Sequence, residues 1–187
     1  MRRKDREMSE EFALRIIDKS IYANLTTIDS EGLPYTIPIS VAREGKSVYM
    51  HSAKEGTKID NIKNNNFAIM TFVGDTKIPD PITESEYKKA VEEGKAGKYL
   101  LSKKFTTEFE SAVARGKISI VESDEEKIKG LRLISEKYTP ENMPYFDNAI
   151  KVSLNIVNVI RFDIESIKGK RKKFDKNGEE MKWQRME

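Results

Sequence analysis

Residues 21–51 read IYANLTTIDSEGLPYTIPISVAREGKSVYMH. Three runs rich in β-branched and aromatic residues, Ile21–Asp29, Leu33–Arg43 and Ser47–His51, are separated by Ser30-Glu31-Gly32 and Glu44-Gly45-Lys46. Two strand-like runs joined by a glycine-bearing turn, twice over, predict a meander of antiparallel hairpins. Pro34 and Pro38 have no amide hydrogen for a ladder, so parts of the second run should face an edge or a ligand.

Upstream, Ser9–Lys19 (SEEFALRIIDK) reads as an amphipathic helix, with Ser9 as N-cap, acidic residues in the first turn and Phe12, Ile16 and Lys19 at helical spacing. Downstream, Gly56–Asn65 (GTKIDNIKNN) predicts a short helix. Phe67–Val73 (FAIMTFV) is apolar enough for a central strand buried on both sides. Gly74–Lys104 breaks the rhythm with Pro79 and Pro81, then a helical composition interrupted by Gly94 and Gly97: one or two helices inserted between strands. A strand over Phe109–Val121, a helix over Asp124–Tyr138 capped by Asp124, and a last strand over Val152–Ile164 follow. In that last strand Val152, Leu154 and Ile156 share a face. The expectation is a mainly β (α+β) fold: one domain over 1–167, with about six antiparallel strands, short flanking helices, a helical insertion at about 74–104 and a charged tail at 168–187. So many short strands in one unit suggest a closed or nearly closed barrel, because closure removes exposed edges.

Composition narrows the chemistry. The 187 residues contain no cysteine, which excludes disulfides, thiolate metal sites and cysteine nucleophiles. One histidine, His51, excludes multi-histidine metal sites within a chain. Thirty-four basic against 31 acidic residues give a net charge of only +3, which argues against general nucleic-acid binding. No apolar run approaches a bilayer span, and the opening MRRKDREM has no apolar stretch behind it, so a cytoplasmic location is expected.

Tyr49–Asn61 (YMHSAKEGTKIDN) carries the most chemistry. A strand ends, and small and hydroxyl-bearing residues lead to a lysine at a helix start. Ser52 and Thr57 offer donors, Lys58 offers charge and the helix start offers unpaired amides, which suits a phosphate. The same residues also suit an ordinary strand-to-helix loop with a solvated lysine. His51 reads either as a ligand-site donor or as a polar strand end. The basic run Lys168–Lys176 (KGKRKKFDK) reads as a solvated segment balanced by Asp175, Glu179 and Glu180, with a nucleic-acid contact as the competing reading. Trp183 reads as an interface or core anchor.

Five segments in order resemble the pyridoxamine 5′-phosphate oxidase family, in its nitroimidazole-resistance branch: MRRKDRE, PYTIPIS, YMHSAKEGTKID, SAVARGKISIVESDEEKIKGLRLISEKYTP and FDIESIKGKRKK. The resemblance implies a split β-barrel homodimer holding FMN between its subunits, with FAD as the alternative flavin. It implies that Thr36, Ile37, Pro38, Ile39, Ser40 and Val41 lie along the isoalloxazine ring. His51 and Ser52 fall at ring and phosphate contacts, with His51 also near the substrate and so a candidate catalytic residue. Thr57 and Lys58 fall where the family has an Arg-Lys pair on the phosphate, and threonine there removes a bidentate donor. Thr71 and Phe72 are implied as flavin wall, and Glu110 and Ser111 as reaching the flavin from the partner. The segment 74–104 departs from the family's shorter connection. The implied activity is flavin-dependent reduction of small electron-poor compounds such as nitroimidazoles. The alternative is a non-catalytic flavin- or haem-binding or storage protein, in which His51 can serve as axial ligand.

Overall fold

Ser9 starts the first helix as its residue type predicts: its hydroxyl accepts the Phe12 amide at 3.1 Å and α1 runs Glu10–Lys19. The computed structural model describes residues 2–182, so Trp183 and the end of the charged tail lie outside the described residues. A two-residue strand β1 (Glu7–Met8) precedes α1, and β2 (Ala23–Ile28) and β3 (Pro34–Ile39) form the first predicted hairpin. The second hairpin is β4 (Ala42–Glu44) with β5 (Ser47–Ala53). Then come α2 (Thr57–Asn64), β6 (Phe67–Lys77), α3 (Glu84–Glu92), α4 (Ala96–Tyr99) with a π-helical turn at Leu100–Lys104, and β7 (Glu108–Ile120). The chain continues with α5 (Asp124–Tyr138), a 3-10 turn at Pro140–Tyr145, α6 (Phe146–Ser153) and β8 (Val157–Lys172).

The eight strands make one antiparallel sheet in the order β3-β2-β6-β7-β8-β5-β4, with β1 beside β8. The predicted single strand Leu33–Arg43 is therefore two strands, at opposite ends of that order. Only Ser40 and Val41 separate them, so Ile39 and Ala42 lie at most about 11 Å apart. The sheet has to roll until its ends approach at that corner, yet among the described residues no ladder joins β3 to β4. This is an α+β split barrel. The corner is held from α5: the Val41 amide donates to the Tyr138 hydroxyl at 2.9 Å, and the Lys137 ammonium donates to the carbonyls of Val41 (2.9 Å) and Ile17 (3.1 Å). Burial lowers the Lys137 pKa, as expected for an ammonium held mainly by carbonyls.

The interior is filled by Leu25, Val48, Met50, Met70, Phe72, Ala112, Ala114, Ile160 and Phe162, with Phe12, Ile16 and Ile17 of α1 and Ile59 and Ile62 of α2 packed against them. At the β7–β8 bulge, a Cβ on Gly116 would lie 1.9 Å from the Asp163 carbonyl oxygen, so only glycine fits there.

Four expectations are corrected. Ser123, not Asp124, caps α5, its hydroxyl accepting the Glu126 amide at 3.4 Å. Phe67–Val73 buries one face only: Ala68, Met70 and Phe72 point inward while Phe67, Ile69 and Thr71 are half-buried. Val152–Ile164 is not one strand, because Phe146–Ser153 is helical and β8 begins at Val157. Lys168–Lys172 belong to β8 rather than to a solvated tail.

Candidate functional site

Alternation along the strands gives the barrel wall two outer surfaces. Over β4, β5 and the start of β8, α5 lies on the wall, and Ala42, Tyr49 and Val159 pack with Val121 and Ile134 in a second core. Glu126 pins this helix, its carboxylate accepting from Arg161 at 2.7 Å and from the Tyr49 hydroxyl at 3.0 Å.

Over β3, β2, β6 and β7 the helices that meet these strands, α1 and α2, pack from the core side, and among the described residues no helix packs extensively on the outer surface. Register places Pro38, Asn24, Thr71, Val113 and Lys168 in one row across it, and Thr36, Thr26, Ile69, Arg115 and Ser166 in the next. Their neighbours Leu25, Met70 and Ala114 point the other way and are fully buried. Thr26 and Thr36 join hydroxyls at 2.9 Å. Val73 and Val113 are 47% and 43% exposed in its middle. From Val113 toward β8, Arg115, Ser166 and Lys168 join it in lining a pocket of about 250 Å³. The surface thus grades from prolyl and hydroxyl groups through apolar ones to cations, which suits a flat molecule carrying an anionic arm.

The segment after β5 adds a second anion feature. Gly56, at φ 122°, turns the chain into α2 without a side-chain cap, leaving the first amides of the helix open. Thr57 is exposed and Lys58 half-buried, and burial lowers the Lys58 pKa. Among the described residues no carboxylate lies within ion-pair distance of Lys58. Asn158 donates to the Lys54 carbonyl at 3.1 Å, fixing the loop, and Asn61 donates to the Thr27 hydroxyl at 3.0 Å, anchoring α2 to β2.

Thr36, Pro38, Thr71 and Ser111 therefore share the open surface, and Thr57 and Lys58 start a helix anchored to one of its strands. Ile37, Ile39, Val41 and Phe72 face the core, so only their backbone can meet a ligand from outside. Ser40 sits in the β3–β4 corner. His51 is exposed on β5, and Ser52 is buried with its hydroxyl on the Ala53 carbonyl at 2.9 Å; among the described residues no hydrogen bond joins either to the open surface. Glu110 is buried and ion-paired to Lys19 of α1 at 3.0 Å. The sequence reading missed Asn24, Thr26, Arg115, Ser166 and Lys168. Arg115 and Lys117, alternating with buried Ala114 and Gly116, were the available signal.

A family model, pyridoxamine 5′-phosphate oxidase, matches residues 9–171, and the chain belongs to that family. A solved structure from Bacteroides thetaiotaomicron, described as a 5-nitroimidazole antibiotic resistance protein, is 25% identical over 88% of this chain and 86% of its own, with a TM-score of 0.66. The FAD and haem binding protein of Mycobacterium smegmatis is 13% identical over 89% of this chain and 73% of its own, with a TM-score of 0.68. HutZ, the haem storage protein of Vibrio cholerae, is 13% identical over 84% and 92%, with a TM-score of 0.54. Those last two likenesses show the fold alone. A search of curated proteins returns no match. No helix among the described residues is long and apolar enough to cross a membrane.

Proposed function

We propose that the protein is a cytoplasmic FMN-dependent reductase of small electron-poor compounds, such as nitroimidazoles, in which two copies enclose the flavin over the open barrel surface. The observation that carries this reading is the surface itself, a hydroxyl, prolyl and apolar face with a cationic end that the described residues leave open. Family membership and the likeness to the nitroimidazole-resistance structure support it.

The residues present fit a flavin nucleotide. Lys58, desolvated and without a carboxylate partner among the described residues, and the open amides of α2 would hold the phosphate. Thr36, Pro38 and the β3 backbone would lie along the ring, with Thr71 beside them. A bound flavin supplies the electron transfer. The chain's part is to orient that ring and to exclude water with Val73, Val113 and the second copy. Thr57 lacks the charge of an arginine, so phosphate affinity rests on Lys58.

The test is the absorption spectrum of purified protein, with chromatography of the ligand released by heat. Flavin bands and free FMN are expected; released FAD would change the nucleotide, and a haem spectrum would favour a storage role through His51. A colourless protein that takes up neither FMN nor FAD would overturn the reading.

A further inference from the structure

Away from the open surface, the insertion and the C-terminal segment build a second polar hollow. Phe174 pairs with Glu180 across a turn, and two pockets of about 420 and 500 Å³ adjoin its ring. The larger is lined by Arg6, Lys98, Leu101, Ser102, Lys172, Phe174 and Glu180. From the smaller, Lys103 places its ammonium 3.6 Å from the centre of the Phe174 ring and donates to the Gly178 carbonyl. Lys172 sits 5.5 Å from the same centre and donates to the Thr106 hydroxyl.

The charges do not cancel locally. Glu180 is engaged by Arg6 at 2.5 Å. Glu108 accepts the Phe174 amide at 2.7 Å and reaches Lys77 only at 3.9 Å. Lys172 is 8% exposed, and among the described residues neither it nor Lys98 has a carboxylate within ion-pair distance. Burial, then repulsion from Arg6, lowers the Lys172 pKa, with Glu180 and Glu108 opposing and Arg3 adding to the repulsion. A buried ammonium resting on a hydroxyl and a ring face is costly unless a counter-charge arrives. Leu101, 74% exposed beside these cations, offers an apolar seat.

We propose that this pocket is a second ligand site, separate from the flavin surface, which takes a small organic anion: its carboxylate or phosphate meets Lys172 and Lys98, and its apolar body rests on Phe174 and Leu101. The site is independent of the flavin reading, since none of its residues belongs to that surface.

Isothermal titration of the full-length, flavin-loaded protein with phenyl phosphate, benzoate and inorganic phosphate tests it. At least one aryl anion should bind saturably, one per chain, and the tighter of the two names the head group. Lys172→Met and Lys98→Ala should each weaken that binding about tenfold, as expected for loss of a charge-assisted bond. Leu101→Ser should weaken the aryl probes and leave inorganic phosphate unchanged. Lys98 is exposed, so its variant folds even if the Lys172 variant does not. Absence of saturable binding by every probe would overturn the proposal. So would loss of binding in Lys58→Ala with Lys98→Ala unaffected, which would move the anion to the flavin phosphate position.

Discussion

The two outer surfaces of the barrel are made by the same kind of strand and meet opposite fates. Beneath α5, the outward side chains of β5 and β8 are core: Tyr49 is 2% exposed and Val159 fully buried. Across β2, β6 and β7, the outward side chains alternate just as regularly but stay half open, Val113 at 43%. A helix closes one side, so that side belongs to stability. Over the other, graded from hydroxyl to apolar to cationic groups, Val73 and Val113 stay 47% and 43% exposed, the feature on which the proposed binding surface rests. The proposed flavin and second copy would lie on that unclosed side.

The contrast breaks most sharply if the two valines are exchanged for the same charge. Val159→Asp buries an unpaired carboxylate and should cost about 4 kcal/mol or more. Val113→Asp should cost the isolated chain no more than about 0.5 kcal/mol, while abolishing dimers in sedimentation. Similar unfolding midpoints in urea for the two variants would end the distinction.

At the start of α2, Lys58→Ala should weaken flavin retention by about 1.5–3 kcal/mol, the usual worth of a hydrogen bond to a charged group. Equilibrium dialysis against FMN reads it, and unchanged retention would remove Lys58 from the phosphate. At the corner between the two surfaces, Tyr138→Phe leaves the Val41 amide unpaired. Its cost should be about 1–3 kcal/mol in denaturant midpoint.

The smallest effect concerns pH on the closed side. The Arg161 guanidinium, helped by the Tyr49 hydroxyl and opposed by burial, holds the Glu126 carboxyl below the usual carboxylate range. Because the folded pKa is the lower one, this contribution is fully present above about pH 4.3 and fades as pH falls through the folded value. The pair is about a third exposed, so Glu126→Gln should remove at most about 1 kcal/mol and flatten the acid limb of stability. An unchanged acid limb would show that α5 is held by packing alone.

What was legible in the sequence follows the same division. Local signals were enough for α1, where Ser9 caps an acidic first turn, and for the hairpin turns at Gly32 and Gly45. The break at Ser40-Val41 has no glycine or proline to mark it. Its cause is tertiary, since Lys137 and Tyr138, about a hundred residues away, take up the backbone groups of Val41. Val152, Leu154 and Ile156 imitate strand alternation, yet Val152 is 72% and Ile156 62% exposed, on a helix and the turn after it. The candidate site divides likewise. Thr36, Pro38 and Lys58 sit in compact motifs, whereas Arg115, Ser166 and Lys168 join the surface only through the pairing of β6, β7 and β8. A sequence read along its length does not reveal that pairing.

The most direct test of the central claim is amide hydrogen exchange of the protein with and without saturating FMN. The account predicts slowed exchange in β3, in the first turn of α2 and across β7 at residues 111–117, with α5 unchanged. Protection confined to α5 and β5, or none anywhere despite bound flavin, would contradict it.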